Sequence, residues 1–389
     1  MNDSSKPSND FPANSLAGTF AERLIAWQAE HGRHDLPWQN TRDAYRIWLS
    51  EIMLQQTQVA TVIPYYGRFL ERFPDVAALA SAPQDDVMAL WSGLGYYSRA
   101  RNLHRCAQVV VAEHGGRFPS DPETLATLPG IGRSTAAAIA AFAYDAHAAI
   151  LDGNVKRVLA RVFGIEGFPG TPKIEREMWA LAESLLPQSD LPAYTQGMMD
   201  LGATLCGRGK PRCGECPFDN DCVAHATGRE RILPTSKPKK VQPERYVDVL
   251  VIGSGERVLF ERRPDSGIWG GLWSLPELTP PTGERAPDDA SLRERLTAHA
   301  AALGATHGAV RSLVPLHGLT HVFTHFRLHL RPWLVTLSGP STPTQPISSH
   351  HAWLDAAGVA AAGLPSPIRK IADALSIVSS GDGQLSLPA

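Results

Sequence analysis

The sequence predicts two domains of different class, an all-α domain followed by a smaller α+β domain. Three observations carry this. Apolar residues recur at helical spacing from Leu16 to about Ala226. Around Gly228–Glu244 the composition turns basic and proline-rich, with Pro234, Lys237, Pro238, Lys239, Lys240 and Pro243. After Arg245 the apolar period shifts towards two. A chain of 389 residues suits two or three domains, and 43% hydrophobic residues suffice for real cores. The expected boundaries are a polar tail at 1–15, a helical domain at 16–227, a linker at 228–245, an α+β domain at 246–380 and a tail at 381–389.

In the helical domain, Trp48 and Ile52, or Leu49 and Met53, repeat at i, i+4. Thr41, Asp121 and Asp152 stand as caps or turn residues before helical segments. Pro64, Pro119, Pro129 and Pro169 punctuate the pattern. In the second domain, Tyr246–Ile252 and Val258–Arg262 read as strands around a Gly253–Gly255 turn. Leu313–His317 and Phe326–Leu334 read as further strands, Asp288–Leu303 and Pro367–Ile377 as helices.

No uncharged apolar run has the length of a membrane span, and Met1–Ser15 lacks the apolar centre of a signal peptide. A cytoplasmic monomer is the expectation. The net charge of −2 gives no general attraction to nucleic acid. Local basic clusters exist at Arg99/Arg101/Arg105, Lys156/Arg157/Arg161, Arg208/Lys210/Arg212 and Lys237/Lys239/Lys240. Each taken alone reads as a solvated helix face before it reads as a phosphate contact.

Four of the five cysteines, Cys206, Cys213, Cys216 and Cys222, fall in a C-x6-C-x2-C-x5-C loop. Without a secretion signal they read as metal ligands rather than disulfides, able to hold a [4Fe–4S] cluster or a zinc ion. Cys106, alone in a helical pattern, reads as a buried small hydrophobe. Leu128-Pro129-Gly130-Ile131-Gly132-Arg133-Ser134-Thr135 sits between helical patterns. Its glycines allow a tight turn, and amides at the next helix start can hold a phosphate. Two carboxylates draw attention. Glu51 lies in the mostly apolar stretch Trp48–Thr57, where a raised pKa would keep it protonated. By itself a glutamate on an amphipathic helix is more often exposed. Asp152, before Gly153-Asn154-Val155, fits the N-cap of a helix Val155–Phe163, whose N-terminus would help keep it ionised.

The segments Leu36–Trp38, Ser50–Tyr66, Gly93–His104, Leu128–Ala136, Leu151–Val162, Gln196–Cys206 and the cysteine loop occur in one order. Together they resemble the endonuclease III-like helix-hairpin-helix DNA glycosylases, in the branch that removes adenine. Gly267–Pro276 resembles the entry to a Nudix-like fold. The resemblance covers roughly residues 20–380. It implies a multidomain protein: an all-α helix-hairpin-helix glycosylase with an iron–sulfur loop, plus an α+β Nudix-like domain. It implies excision of adenine mispaired with 8-oxoguanine, or less efficiently with guanine, from double-stranded DNA by base flipping. In this reading Glu51 is the acid, Asp152 stabilises the oxocarbenium ion, and Asn154 orients the site. Gln55, Gln56 and Tyr96 wedge the stack, while Gly130 and Gly132 approach phosphate. Trp38 and Gln196 help form the adenine pocket. Cys206, Cys213, Cys216 and Cys222 hold a [4Fe–4S] cluster. Phe323, Thr324 and His325 read the oxidised guanine, with Thr324 standing where the family usually has serine. The Nudix-like part lacks the R-E-x-x-E-E helix of a pyrophosphohydrolase, so no such activity is expected. Ser134 stands where bifunctional relatives carry a lysine nucleophile. That position weighs against the alternative, an endonuclease III-like glycosylase and lyase for damaged pyrimidines. A non-enzymatic iron–sulfur DNA-binding protein would leave Glu51 and Asp152 unexplained.

Overall fold

The computed structural model describes residues 13–238, 241–254, 256–278, 289–304, 309–338 and 350–376. The chain divides into two compact units, Met1–Ser81 with Asn102–Lys239, and Ala82–Arg101 with Lys240–Ala389. The grouping of Ala82–Arg101 with the C-terminal part is not visible in sequence, because those residues keep the helical character of their neighbours.

The first unit is helical. Helix Ala13–His31 starts ahead of Leu16 and sends Phe20 and Leu24 into a core with Val155, Val158, Leu159, Leu201 and Phe218. The rings of Phe20 and Phe218 stack with centroids 4.3 Å apart. Leu233 is buried in the same core, so the chain stays docked here past Gly228. Helix Arg133–Tyr144 buries Ala136–Ala141, and the alanines on either side of Ile139 let helix Ala44–Leu54 pack closely on it. Asp121 caps helix Pro122–Leu125 and Asp152 caps helix Gly153–Val162. Before helix Ala44–Leu54 the cap is Asp43, and Thr41 is the turn residue ahead of it, its hydroxyl accepting from the Asp43 amide at 3.1 Å. Helix Leu191–Asp200 ends in a π-helical turn, Leu201–Leu205, that delivers Cys206.

Three arginines from the basic clusters are neither solvated nor available to phosphate. Arg99, Arg157 and Arg161 are buried. Arg99 donates to the carbonyls of Leu94 and Gly95, while Arg157 and Arg161 donate to the carbonyl of Cys206. Cys106 is buried, as a small hydrophobe should be.

The second unit carries a mixed sheet. Strand Glu244–Ser254 runs parallel to Arg327–Ser338, from Glu244↔Arg327 to Ile252↔Val335. It turns back antiparallel into Arg257–Arg262. Strand Ala309–Pro315 pairs antiparallel with Arg327–Ser338. Helix Asp289–Gly304 lays Leu296 and Ala300 on Leu250, Ile252, Leu313 and Val335. Helix Ser366–Ser376 follows near the C-terminus. Residues 1–12, 239–240, 255, 279–288, 305–308, 339–349 and 377–389 lie outside the described residues. Among the described residues no helix is long and apolar enough to cross a membrane.

Candidate active site

Helix Ala44–Leu54 buries Tyr45, Ile47, Trp48, Leu49, Ile52 and Met53. A helix apolar on so much of its surface carries its one glutamate inward rather than into water. Glu51 lines a cleft of about 420 Å³ together with Trp38, Gln196, Arg33, His34 and Leu54. That volume is of the size used for small-molecule pockets. Burial, and after it the negative charge of Asp152, pushes the Glu51 carboxyl up to about 8. It is therefore mainly protonated at neutral pH.

The cleft wall explains two further residues. Trp38 is buried edge-on against Tyr66, with centroids 5.4 Å apart. Gln196 Nε2 donates to Asp200 Oδ1 at 2.8 Å. Asp200 is fully buried and receives the Arg33 backbone N–H and Nε–H at 2.8 and 2.7 Å. This network fixes the Gln196 amide in one orientation. Sequence reasoning missed Arg33 and Asp200. The signal was there in Asp200, an acid one helical turn beyond Gln196 on an otherwise apolar stretch.

Asp152 Oδ1 accepts from the Asn154 and Val155 amides at 3.0 and 2.8 Å, and Asn154 Nδ2 donates to Oδ2 at 3.2 Å. Burial outweighs these bonds and the Arg157 charge, which pull the other way, and leaves the Asp152 carboxyl above the ordinary aspartate value. Glu51 has no comparable donors among the causes acting on it, so a proton held by the pair belongs on Glu51. Asn154 is held in turn by Arg157 Nη2, at 2.9 Å from its Oδ1.

In the hairpin, Gly130 has φ of +80°, and a Cβ there would meet Asn102 Cβ at 2.8 Å. Gly132 is the N-cap of helix Arg133–Tyr144. The Ser134 hydroxyl accepts from the Leu151 amide at 2.9 Å and so ties the hairpin to the segment entering Asp152. Gln55 Nε2 donates to Thr135 Oγ1 at 3.4 Å. Gln56 is exposed in the left-handed region at φ of +58°. Tyr96, in the second unit, is also left-handed, at φ of +49°, and 47% exposed, whereas Tyr97 is buried. Exposed non-glycine residues in this region store strain, as loops that act on a partner often do.

A family model for HhH-GPD superfamily base excision DNA repair proteins matches residues 49–184, and a NUDIX domain model matches 248–374. An adenine DNA glycosylase of Buchnera aphidicola (subsp. Schizaphis graminum) is 35% identical over 90% of this chain and 97% of its own length. The chain belongs to the adenine DNA glycosylase family. The Homo sapiens adenine DNA glycosylase is also 35% identical, over 86% of this chain and 70% of its own. A solved thermostable thymine-DNA glycosylase is 29% identical, with a TM-score of 0.51, over 55% of this chain and 99% of its own. Membership of the adenine DNA glycosylase family makes the chain a DNA glycosylase of base-excision repair, with a helix-hairpin-helix fold and a Nudix-like second domain.

In this adenine DNA glycosylase family member the four cysteines of the loop line one cavity. Four sulfur donors around one space fit a four-thiolate metal group. Arg161 Nη1 donates to Cys206 Sγ at 3.3 Å. In the second unit, the Phe323 amide donates to the Phe326 carbonyl at 2.9 Å and closes a tight turn that leaves Thr324 and His325 exposed. The Phe323 ring stacks on Phe326 with centroids 4.6 Å apart and lies 5.8 Å from Trp269. Gln242 Nε2 reaches the carbonyls of Phe323 and Thr324 at 3.4 and 3.3 Å. The carboxylates, hairpin and cysteines belong to the first unit, Tyr96 and Phe323–His325 to the second.

Proposed function

We propose that this chain hydrolyses the N-glycosidic bond of adenine mispaired with 8-oxoguanine, and less efficiently with guanine, in duplex DNA, without cutting the strand. The observation that carries the reading is Glu51 lining a cleft of about 420 Å³, its carboxyl pushed up by burial and by the nearby charge of Asp152, whose own hydrogen bonds favour the anion. Adenine flipped into the cleft would rest against Trp38 and the fixed amide of Gln196. Glu51 gives its proton to N7, and the bond between the sugar C1′ and N9 breaks with its electron pair leaving on adenine. Asp152 faces the oxocarbenium ion that remains, positioned by Asn154. Water adds to C1′ and its proton leaves, giving an abasic site. This is two-carboxylate glycoside chemistry applied to an N-glycoside. Gln55, Gln56 and Tyr96 would occupy the gap in the stack. Gly130, Gly132 and the helix start at Arg133 would take phosphate. Cys206, Cys213, Cys216 and Cys222 would hold a [4Fe–4S] cluster that serves to shape and position the loop. Action as a cytoplasmic monomer is part of the same proposal. The deciding assay is adenine release from a duplex with adenine opposite 8-oxoguanine, with and without alkali.

Ser134 bears on the rival, a bifunctional lyase. A serine hydroxyl cannot form the imine by which an amine cuts the strand. The native chain should leave an intact abasic strand that breaks only in alkali, and borohydride should trap little covalent complex. Ser134→Lys should gain trapping and alkali-independent nicking where its amine reaches C1′. It should also lose stability, because the Leu151 amide loses its acceptor, which costs roughly 1–3 kcal/mol. Alkali-independent nicking by the native chain on a sequencing gel would exclude the monofunctional reading.

The opposite-base reader is assigned to Phe323, Thr324 and His325 on their exposed, ring-supported turn. Thr324 keeps a hydroxyl that can bond a base edge. Thr324→Ala should lower the preference for 8-oxoguanine over guanine by roughly fivefold, the equivalent of one hydrogen bond worth about 1 kcal/mol. Binding constants for the two duplexes measure it, and an unchanged ratio removes Thr324 from the reader.

A further inference from the structure

The cavity lined by the four cysteines is also lined by Arg161, Asp219, His225 and Glu230. Its two ends differ in charge. At Cys206, Arg161 is buried and donates Nη1 to both the sulfur and the carbonyl, at 3.3 and 3.2 Å. Arg157 adds a bond from Nε to the same carbonyl at 2.7 Å. Donors and positive charge at a ligating sulfur favour the electron-rich form of a cluster.

At Cys213 the neighbours are an acid and its anchor. Glu230 Oε1 lies 4.0 Å from Cys213 Sγ, and the His225 ring nitrogen Nδ1 is 2.8 Å from the same oxygen. One donor atom from each of the three residues lies within 4.8 Å of the others. The His225 side chain is 43% exposed and that of Glu230 21%, so solvent reaches this corner, whereas Cys222 is buried. A free thiol at Cys213 donates its proton to Glu230. A ligating thiolate has no proton to donate, so carboxylate and sulfur then meet as like charges.

We propose that Glu230, pinned by His225, is a positioning residue that makes the Cys213 corner the readily oxidised end of the metal site. The inference rests on the reading of the four cysteines as holders of a [4Fe–4S] cluster. Oxidation here is the loss of one electron to an outer-sphere oxidant, with no proton or atom moving. The product is one unit more positive, and a fixed anion beside it favours that product. A histidine–glutamate pair on an open surface would matter little. This pair forms part of the cavity wall instead.

The test uses the purified holoenzyme. The cluster potential is measured by voltammetry, the decay of visible absorbance is followed in ferricyanide, and iron and sulfide are counted per chain. Glu230→Gln should raise the potential and slow bleaching several-fold at unchanged iron content. Asp219→Asn removes an acid from the same cavity and should have a smaller effect than Glu230→Gln. A Glu230→Gln protein with full iron and the parent's potential and bleaching rate overturns the proposal. A shift equal to that of Asp219→Asn also overturns it, since general charge then suffices. A native chain containing zinc, or neither iron nor sulfide, overturns the cluster reading itself, whatever the variants do.

Discussion

Glu51→Gln is expected to abolish adenine release while leaving mispair binding in place. The amide matches the carboxyl in size and can fill the same place beside Trp38 and Gln196, but it has no proton to give to N7. A positioned general acid is worth roughly 10²–10⁴ in rate. Single-turnover excision and a gel-shift titration on the same duplex separate the two effects. Near-normal excision by the variant would remove Glu51 from the mechanism. In the proposed mechanism the acid form is the active one, so the parent's rate should hold at neutral pH and fall as pH rises through about 8. The same burial has a stability consequence. The folded pKa lies above the ordinary glutamate value, so folding binds this proton more tightly than the unfolded chain does. Stability from that proton is complete below the ordinary value near 4.5 and is lost as pH climbs through about 8. Glu51→Gln should therefore be more stable than the parent at alkaline pH, by roughly 2 kcal/mol or more.

Asp152→Asn should leave the fold nearly intact and still remove activity. Asp152 caps helix Gly153–Val162, and in the proposed mechanism it is also the anion facing the sugar. Asparagine caps helices as well as aspartate does, and alanine does not. The asparagine variant should thus keep the bonds to the Asn154 and Val155 amides and melt within about 1 kcal/mol of the parent. Its excision rate should fall by roughly 10²–10³ or more, the scale of losing one preorganised electrostatic stabiliser. Asp152→Ala should lose the same rate and about 1 kcal/mol of stability besides. Thermal melts beside single-turnover rates settle it. An asparagine variant that excises within tenfold of the parent would confine Asp152 to capping.

Much of this was legible in the sequence because local rules carry it. The Asp152 cap, the glycine turn before Arg133, the strands after Arg245 and the clustered cysteines each depend on residues close together along the chain. What escaped depends on distance. Arg157 and Arg161 look like a solvated basic face until Cys206 and Leu233 are brought onto them. The Arg33–Asp200 pair joins two ends of the helical unit that no periodicity connects. Asp43, the cap of helix Ala44–Leu54, escaped beside Thr41, which is the turn residue ahead of it. Ser134 stands out in the sequence for the amine it lacks. Its observed duty, accepting the amide before Asp152, appears only once the hairpin and that segment are side by side.

Gly202, inside the π-helical turn, has no room for a side chain, because a Cβ there would come within 2.6 Å of Asn154 Cβ and 3.0 Å of its Cα. Its carbonyl also accepts from Arg157 Nη2 at 2.6 Å. A single added methyl at 202 would therefore push on the residue that orients Asp152, although 202 lies far along the chain and never faces the cleft. Anyone sorting inherited or engineered changes in such a chain by distance from the reactive carboxylates would file Gly202→Ala as harmless. Its damage should instead register in turnover before it registers in folding.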